Sequence, residues 1–236
     1  MQPVKSAAIV QSNYIPWKGY FDLINMVDEF ILLDDVQYTR RDWRNRNVIK
    51  TATGTRWLTI PVEVKGRYAQ KINETRVSDP QWGKRHWSVI EQSYSKARCF
   101  RQVAKVLEPC FREGNEMYLS RINFQFIKAI CDFLGIRTRI SWSTDYQHED
   151  GRNQRLISLC KCVGAARYVS GPSAGGYMDK ELWAGSGIAV SFVDYSGYPK
   201  YAQLHGDFRH EVTVLDLLFN EGDDAPRYMK SFGGGK

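Results

Sequence analysis

The chain has 236 residues, 43% hydrophobic and 25% charged, which is the balance of a globular protein with a buried core. No apolar run approaches the roughly 20 residues that span a bilayer, the start lacks the pattern of a secretory leader, and the five cysteines show no paired spacing. These features predict a cytoplasmic protein without a membrane span. The net charge of +7 favours an anionic ligand or partner.

The chain begins with a strand, a helix and a second strand. Residues 5–10 and 29–33 are short apolar runs typical of buried parallel strands, and residues 22–26 between them have a helical pattern. Two strands joined by a helix over so short a distance predict a βαβ unit. The segment after the first strand therefore lies at the carboxyl end of a parallel strand, where open α/β sheets bind ligands.

That segment, residues 11–21, reads QSNYIPWKGYF and crowds rings and amides onto one turn. Side chains of these types on a loop favour binding over packing, although a hydrophobic corner closing the βα unit is the alternative. We predict that Lys18 is catalytic. The predicted substrate- or nucleotide-binding residues of this segment are Gln11, Asn13, Tyr14, Trp17, Gly19 and Tyr20.

Two carboxylates, Asp34 and Asp35, end the second strand and so lie near the same edge of the sheet. We predict that both are catalytic, with strand capping as an equal alternative. Gln37 follows them as a predicted binding residue.

A basic run, TRRDWRNRNVIK, covers residues 39–50. It would face a nucleotide, a nucleotide-sugar pyrophosphate, an RNA backbone or a membrane surface, or it is a solvated charged face. We predict that Arg46 is catalytic. The predicted binding residues of the run are Arg40, Arg41, Arg44 and Asn45.

The remaining elements predict an α/β fold. We expect a hairpin over residues 47–50 and 56–61, helices over 80–93, 100–111, 118–134, 152–163 and 212–219, and strands over 137–142, 167–170 and 188–193. The pattern predicts one three-layer domain over residues 1–230, with a mostly parallel, Rossmann-like sheet and a hairpin and helical insertion around 47–135. Residues 231–236, SFGGGK, are expected to form a flexible tail.

A glycine-rich turn follows the strand at 167–170. The backbone amides of residues 171–176 would cradle a phosphate in a nest-like turn, but the turn lacks the Gly-Lys-Ser/Thr ending of a P-loop and a tight βα connection is the alternative. Further along, tyrosines either contact the substrate or fill the core. The predicted binding residues of these segments are Ser170, Gly171, Ser173, Tyr177, Tyr195, Tyr201 and Gln203.

Metal-binding and hydrolytic patterns are missing from the sequence. No HxxE or CxxC spacing occurs, His86 and His148 are isolated, and Ser170 does not sit in a Gly-x-Ser-x-Gly elbow. We therefore predict no metal site, and nucleophilic hydrolysis is disfavoured.

Several motifs together resemble the WbqC-like proteins, which occur among bacterial O-antigen and related polysaccharide genes. They are QSNYIPWKGYF, FILLDDVQYTRRDWRNRNVIK, WLTIPV, YVSGPSAGGYMD, DYSGYPKYAQLHGDF and LDLLFNEG, in this order along nearly the whole chain. Ser12 replaces a proline that is usual in the opening motif. The resemblance implies an enzyme that transfers a glycyl or similar small acyl group to an amino sugar, either free or nucleotide-linked, in surface polysaccharide or related natural-product biosynthesis.

The opening strand, turn, helix and strand also resemble nucleotidyl-transferring and acid-activating (HUP-like) enzymes. Those enzymes carry His-x-Gly-His in the turn, where this chain has Trp17-Lys18-Gly19-Tyr20. Such chemistry suits glycine transfer, because a carboxylate must be activated before an amine attacks it, for example as an acyl-adenylate. ATP and Mg²⁺ are therefore candidate cofactors, with Asp34 or Asp35 holding the Mg²⁺, binding the substrate ammonium or deprotonating the acceptor amine.

Three functions remain open at this point. The first is the acyl transfer just described, with glycine or another small acid and an amino sugar or nucleotide sugar as substrates. The second is an RNA-modifying enzyme or one that takes its acyl group from aminoacyl-tRNA, which makes tRNA a candidate partner. The third is a non-catalytic module that binds a carbohydrate or another small molecule.

Overall fold

The computed structural model describes residues 4–176 and 178–233. Over these residues the chain forms a five-stranded sheet, a separate hairpin and seven α-helices. The strands are β1 (Ser6–Val10), β2 (Glu29–Leu32), β3 (Arg46–Thr51), β4 (Gly54–Thr59), β5 (Arg139–Trp142), β6 (Arg167–Ser170) and β7 (Ala189–Phe192). The helices are α1 (Lys18–Asn25), α2 (Trp82–Tyr94), α3 (Phe100–Arg112), α4 (Leu119–Leu134), α5 (Arg152–Cys162), α6 (Lys180–Ser186) and α7 (Val214–Glu221).

The main sheet is parallel throughout, with the order β5-β2-β1-β6-β7. The chain first builds outward from β1 through β2 to β5, and then returns to the other side of β1 through β6 to β7. This reversal makes β1 and β6 the topological switch point of a doubly wound sheet, where a crevice opens above the carboxyl ends of the two strands.

The sheet is buried on both faces. Alternate residues of β1 show this, because Ala8 packs in the core that contains Phe21 of α1, whereas Ala7 and Ile9 pack in a second core with Leu159 of α5. Helices therefore cover both faces, and the predicted three-layer, Rossmann-like α/β fold is confirmed.

A hairpin and three helices separate β2 from β5. Strands β3 and β4 pair in antiparallel register as a separate two-stranded sheet, and α2, α3 and α4 follow. Helix α4 ends at Gly135, as its sequence predicted, because φ of 73° there suits a left-handed cap that glycine adopts at no steric cost.

Two helices differ from the prediction, one in its first residue and one in having no predicted counterpart. Helix α1 begins at Lys18 instead of residue 22, so residues 18–21, which were interpreted as part of a turn, form the first turn of a helix. Helix α6 had no predicted counterpart; it begins after Asp179, whose side chain accepts a hydrogen bond from the Leu182 N–H at 3.0 Å.

The segment expected to be a flexible tail is held in place where it is described. The Ser231 N–H donates to Asp22 Oδ1 at 2.9 Å, and Phe232 packs against the main core. Residues 234–236 lie outside the described residues. Across the described parts of the chain, no helix combines the length and apolar composition needed to cross a bilayer.

Candidate functional site

A cleft of about 980 Å³ opens at the switch point. Its walls come from the ends of β1 and β6, the start of α1, the loop after β2 and the start of α5. The polar and aromatic residues that line it are Gln11, Trp17, Tyr20, Gln37, Arg44, Arg152, Arg155, Tyr168, Ser170, Ser173 and Tyr195. Gly171 and Pro172 complete the β6 side. The structure thus brings together nine of the predicted binding residues, namely Gln11, Trp17, Tyr20, Gln37, Arg44, Ser170, Gly171, Ser173 and Tyr195.

Three arginines bring positive charge to the cleft, and two of them pair with carboxylates outside its lining, Arg44 with Asp42 and Arg155 with Asp150. Arg44, Arg152 and Arg155 line it, and no Asp or Glu occurs among the described lining residues. The Nε atoms of Arg44 and Arg155 are buried and have no hydrogen-bond partner within the described structure. Arg155 pairs with Asp150 at 2.9 Å, but the Asp150 side chain is 98% exposed, so the pair leaves the positive charge of Arg155 at the cleft wall.

Two helix N-termini add to this positive field. Helices α1 and α5 both begin at the cleft, and neither has a side-chain cap or an acidic residue in its first turn. Gly151 precedes α5 with φ of 96°, a conformation that brings the chain into the helix without a capping side chain. Unpaired N–H groups and the helix dipole at such ends favour anions, above all phosphates.

Aromatic rings form the wall opposite α5. The Trp17 and Tyr195 rings meet edge to face with centroids 5.1 Å apart, and the Tyr20 hydroxyl donates to the Gln11 carbonyl at 3.1 Å. Gly19 allows this packing, since a Cβ there would lie 2.3 Å from the Trp17 ring. Planar groups of a ligand would find stacking partners on this wall.

Arg44 also holds the loop after β1. Its Nη1 donates to the carbonyls of Gln11 at 3.3 Å and Ser12 at 3.4 Å, and to Asn13 Oδ1. Asn13 therefore supports the cleft wall without lining it.

Asp34 lies beneath the cleft, not in it. It is 1% exposed and accepts hydrogen bonds from the Ser12 N–H at 2.8 Å and from the Ser120 hydroxyl. Burial raises its pKa, and these hydrogen bonds oppose the shift. The geometry assigns Asp34 to joining the ends of β1 and β2 to α4, and it gives no contact that would support the predicted catalytic role.

Asp35 is half-buried beside a histidine that the sequence left isolated. His148 Nε2 lies 3.1 Å from Asp35 Oδ2, and the Ser143 hydroxyl donates to Asp35 Oδ1 at 2.5 Å. Asp35 precedes Val36, which lines the cleft. The pair is therefore a candidate proton acceptor beside a lining residue of the cleft.

Lys18 points away from the cleft. Its Nζ lies 4.7 Å from the centroid of the Tyr198 ring and 5.3 Å from that of Tyr201, and donates to the Pro199 carbonyl at 3.4 Å. Burial lowers its pKa to about 8, and Asp22 and Asp216 partly offset the shift. The predicted catalytic role would require Lys18 to face the substrate, which this geometry does not provide.

Tyr201 and Gln203 belong to a buried network on the same side as Lys18. The Tyr201 hydroxyl donates to Asp216 Oδ1 at 2.8 Å, and Gln203 accepts from Lys50 Nζ at 2.8 Å. The Tyr94 hydroxyl donates to Asp216 Oδ2 at 2.9 Å. These contacts join the segment before α7 to β3 and α2, so the core alternative holds for Tyr201.

Tyr14, a predicted stacking residue, is fully buried. Its hydroxyl lies 2.8 Å from His86 Nδ1, and its ring packs edge to face on Trp82 and Phe126. No face of the ring remains for a ligand, and Tyr14 is a core residue.

Four residues of the basic run also lie away from the cleft lining. Asn45 is buried and donates to the Ile60 carbonyl at 2.8 Å, while Arg40 is exposed and donates to the Val64 carbonyl at 2.8 Å. Arg46 donates to the carbonyl of Arg41 and lies over a tryptophan ring. Of the arginines in the run, Arg44 is the one that reaches the cleft.

The glycine-rich turn is not a nest. A nest needs alternating right- and left-handed residues, whereas Gly171, Gly175 and Gly176 all lack a positive φ. Residues 172–176 form a 3₁₀-helix in which the Ala174 N–H donates to the Gly171 carbonyl at 3.1 Å. Tyr177 lies outside the described residues.

The sequence prediction did not include two basic residues of α5, Arg152 and Arg155, which line the cleft. Arg152 and Arg155 occupy the first turn of a helix, where the helix dipole disfavours cations. Two arginines at that position, with no acidic residue among them, are the signal that would have indicated an anion site.

Among the described residues, no three His, Cys, Asp or Glu side chains lie close enough together to hold a metal ion. The lining residues fit the phosphates and rings of a nucleotide such as ATP. They supply none of the carboxylates that Mg²⁺ prefers, so Mg²⁺ would enter the cleft held by the phosphates themselves.

The fold and the cleft define a doubly wound α/β protein with a basic cleft at its switch point. Comparison with family models then gives the particular group: the WbqC-like protein family model matches residues 11–228, and the chain belongs to that family. The chain is also similar to the Uncharacterized protein Rv1507c of Mycobacterium tuberculosis (strain ATCC 25618 / H37Rv), with 51% identity over 227 residues, 96% of this chain and 98% of that protein. No solved structure matches the chain.

Proposed function

We propose that this protein is an enzyme that binds a phosphate-bearing substrate, a nucleotide or nucleotide sugar, in the cleft and transfers a glycyl or similar small acyl group to an amino sugar. The observation that carries the proposal is the set of three arginines and two uncapped helix N-termini around a cleft without a lining carboxylate. The chain belongs to the WbqC-like family, and acyl transfer is the reaction that the resemblance of its motifs to that family implies.

In the simplest route the acid is activated with ATP. A carboxylate oxygen of glycine attacks the α-phosphorus, pyrophosphate leaves, and an acyl-adenylate forms. The acceptor amine then attacks the acyl carbon, AMP leaves, and the amine gives up a proton.

The residues of the cleft suit these steps. Arg152, Arg155 and the start of α5 would stabilise the charge on the phosphates, and Trp17 and Tyr195 would stack on the base or the sugar. The proton of the amine would pass to the pair formed by Asp35 and His148, because the lining residues offer no carboxylate.

The experiment that tests this proposal is amino-acid-dependent exchange of labelled pyrophosphate into ATP, with glycine and a panel of small acids. Exchange with one acid that is reduced in an Arg155→Ala variant would support activation in the cleft. No exchange, together with no binding of ATP or of a nucleotide sugar in calorimetry, would contradict the proposal. Binding without turnover, even when an amino-sugar acceptor is supplied, would favour a binding module.

A second candidate function, an enzyme that uses aminoacyl-tRNA or modifies RNA, is favoured by one separate observation. Two half-exposed tryptophans, Trp43 and Trp57, lie together next to the loop that carries Arg44, and the Arg46 guanidinium lies over the Trp57 ring.

A further inference from the structure

We propose that a surface patch next to the cleft binds single-stranded RNA. The patch consists of Trp43, Trp57, Arg46, Arg40 and Arg41, and we refer to it as the tryptophan patch. Binding by the patch does not depend on the proposed acyl transfer; only its use in that reaction would rest on it.

The two tryptophans are presented to solvent by the local structure. Trp57 and its neighbours Thr55 and Thr59 share one exposed side of β4, while Leu58 between them is buried. Trp43 lies in the loop before β3, with its ring centroid 5.4 Å from that of Trp57 and the planes tilted by 32°. The two residues are 45% and 46% exposed, so part of each side chain is accessible to a ligand.

Positive charge lies against the Trp57 ring. The Arg46 guanidinium lies 4.2 Å from the centroid of the Trp57 ring, and one of its nitrogens donates to the Arg41 carbonyl. The side chains of Arg40 and Arg41 are exposed. Within the described residues, none of these three arginines has a carboxylate oxygen within ion-pair distance.

This composition selects a phosphodiester strand over a neutral sugar. The charged groups of the patch are guanidinium donors, which match phosphate oxygens, and aromatic rings next to them stack on unpaired bases. Asp42, the acidic residue of this loop, already pairs with Arg44 at 3.5 Å.

The patch adjoins the cleft. The Tyr14 N–H donates to the Trp43 carbonyl at 2.9 Å, which joins this loop to the loop after β1. Arg44, the next residue, lines the cleft. A strand lying on the tryptophan patch would therefore have one end at the cleft mouth.

The test is fluorescence anisotropy with a labelled, unstructured RNA of about 12 nucleotides, a length within the range of single-strand sites. We expect saturable binding whose affinity falls steeply between about 50 and 200 mM salt. Trp43→Ala and Trp57→Ala should each weaken binding about 5- to 150-fold, the range for one lost stacking partner. Arg46→Gln should also weaken RNA binding and lower the dependence of the affinity on salt. Because Arg46 lies outside the hydrophobic core, this variant tests the patch even if a tryptophan variant fails to fold.

The matched control is Arg121→Ala. Arg121 lies 4.7 Å from the centroid of the Trp142 ring, so its removal breaks the same kind of pair elsewhere on the surface. RNA affinity should not change in this variant. Each of four results would overturn the proposal. They are no RNA binding at low salt, a loss of affinity in Arg121→Ala equal to that in the tryptophan variants, displacement of the labelled RNA by heparin as effective as by unlabelled RNA, and preferential binding of a neutral oligosaccharide. RNA binding by a protein that shows no nucleotide binding in the cleft would leave the tryptophan patch standing and reject the proposed transfer.

Discussion

Replacing Arg155 with alanine should weaken the binding of a phosphate-bearing ligand while leaving the fold nearly as stable. The side chain is 20% exposed and its Nε is buried without a partner in the described structure, so the guanidinium has donors to spare for a ligand. A hydrogen bond to a charged group contributes about 1.5–3 kcal/mol, which corresponds to a roughly 10- to 150-fold rise in Kd. The pair with Asp150 is largely exposed on the Asp150 side, and its loss should cost less than about 1 kcal/mol of folding stability.

The assay is calorimetric titration of ATP and of a UDP-sugar into the wild type and the Arg155→Ala variant, with thermal unfolding run on both. Arg139→Ala is the control, because Arg139 begins β5 at the amino edge of the sheet, about 10 Å along the strand from the carboxyl edge. It removes the same charge and should leave Kd unchanged. Equal Kd values in wild type and Arg155→Ala, or equal losses in both variants, would refute the placement of the phosphates at the start of α5.

Three further predictions concern residues that support the site. Burial lowers the pKa of His86 from 6.5 to about 4, so the unfolded chain binds the proton more tightly than the folded chain. The free energy of unfolding should therefore fall by about 3 kcal/mol as the pH drops from above 6.5 to below 4. In urea unfolding, His86→Gln should show a smaller change in this free energy over the same pH range. Gly19→Ala should lower the melting temperature and change tryptophan fluorescence, because the new Cβ would displace the Trp17 ring at a cost of about 1–3 kcal/mol. The control is Gly185→Ala in α6, which has open space around it and should stabilise the fold by up to about 1 kcal/mol. Asp34→Ala should cost about 2–5 kcal/mol in urea unfolding, since it leaves two buried donors without an acceptor; an unchanged stability with lost turnover would instead favour the catalytic role.

The sheet could be predicted from the sequence because its strands are buried on both faces. Residues 29–32 show this, as four consecutive buried positions leave a short run with few polar interruptions. Helix α6 escaped prediction because it has seven residues and one buried side chain, Trp183, too few for a helical period to appear. Its Asp179 N-cap and its Gly187 C-cap were the local signals.

The roles of individual residues in the opening motif depended on one boundary. Because α1 begins at Lys18, Trp17 and Tyr20 stand three residues apart and face the cleft together, whereas Lys18 is turned about 100° from Trp17 around the helix axis. When these residues are interpreted as a turn, no helical period separates their side chains. The sequence prediction therefore placed Lys18 in the same site as Trp17 and Tyr20, whereas the helix turns it away from them.

The cleft itself was beyond local patterns because it is assembled by strand order. Arg44, Arg155 and Ser170 lie far apart in the chain, and they meet because β6 returns to the side of β1 opposite β2. Periodicity identifies strands but does not give their order in a sheet. The predicted phosphate loop at residues 171–176 lay at the right edge, while the basic residues that line the cleft from α5 came from a helix interpreted as ordinary.

The charge of the cleft also limits how a transfer reaction would divide its work. A wall of arginines and helix N-termini holds anions, but it stabilises an amine only in its neutral form and offers it no acceptor for a proton. Within the described residues, Asp34 and Asp35 follow β2 beside the lining residues Leu33 and Val36; Asp34 is committed to buried hydrogen bonds, and Asp35 is paired with His148 and half-buried. Asp150, which precedes Gly151 of the lining, is paired with Arg155 and is 98% exposed. Phosphate binding and proton transfer would thus fall to different strands, the first to the β1 and β6 side and the second to the end of β2. Losses of ligand affinity should follow from changes at Arg155, and losses of turnover at constant affinity from changes at Asp35.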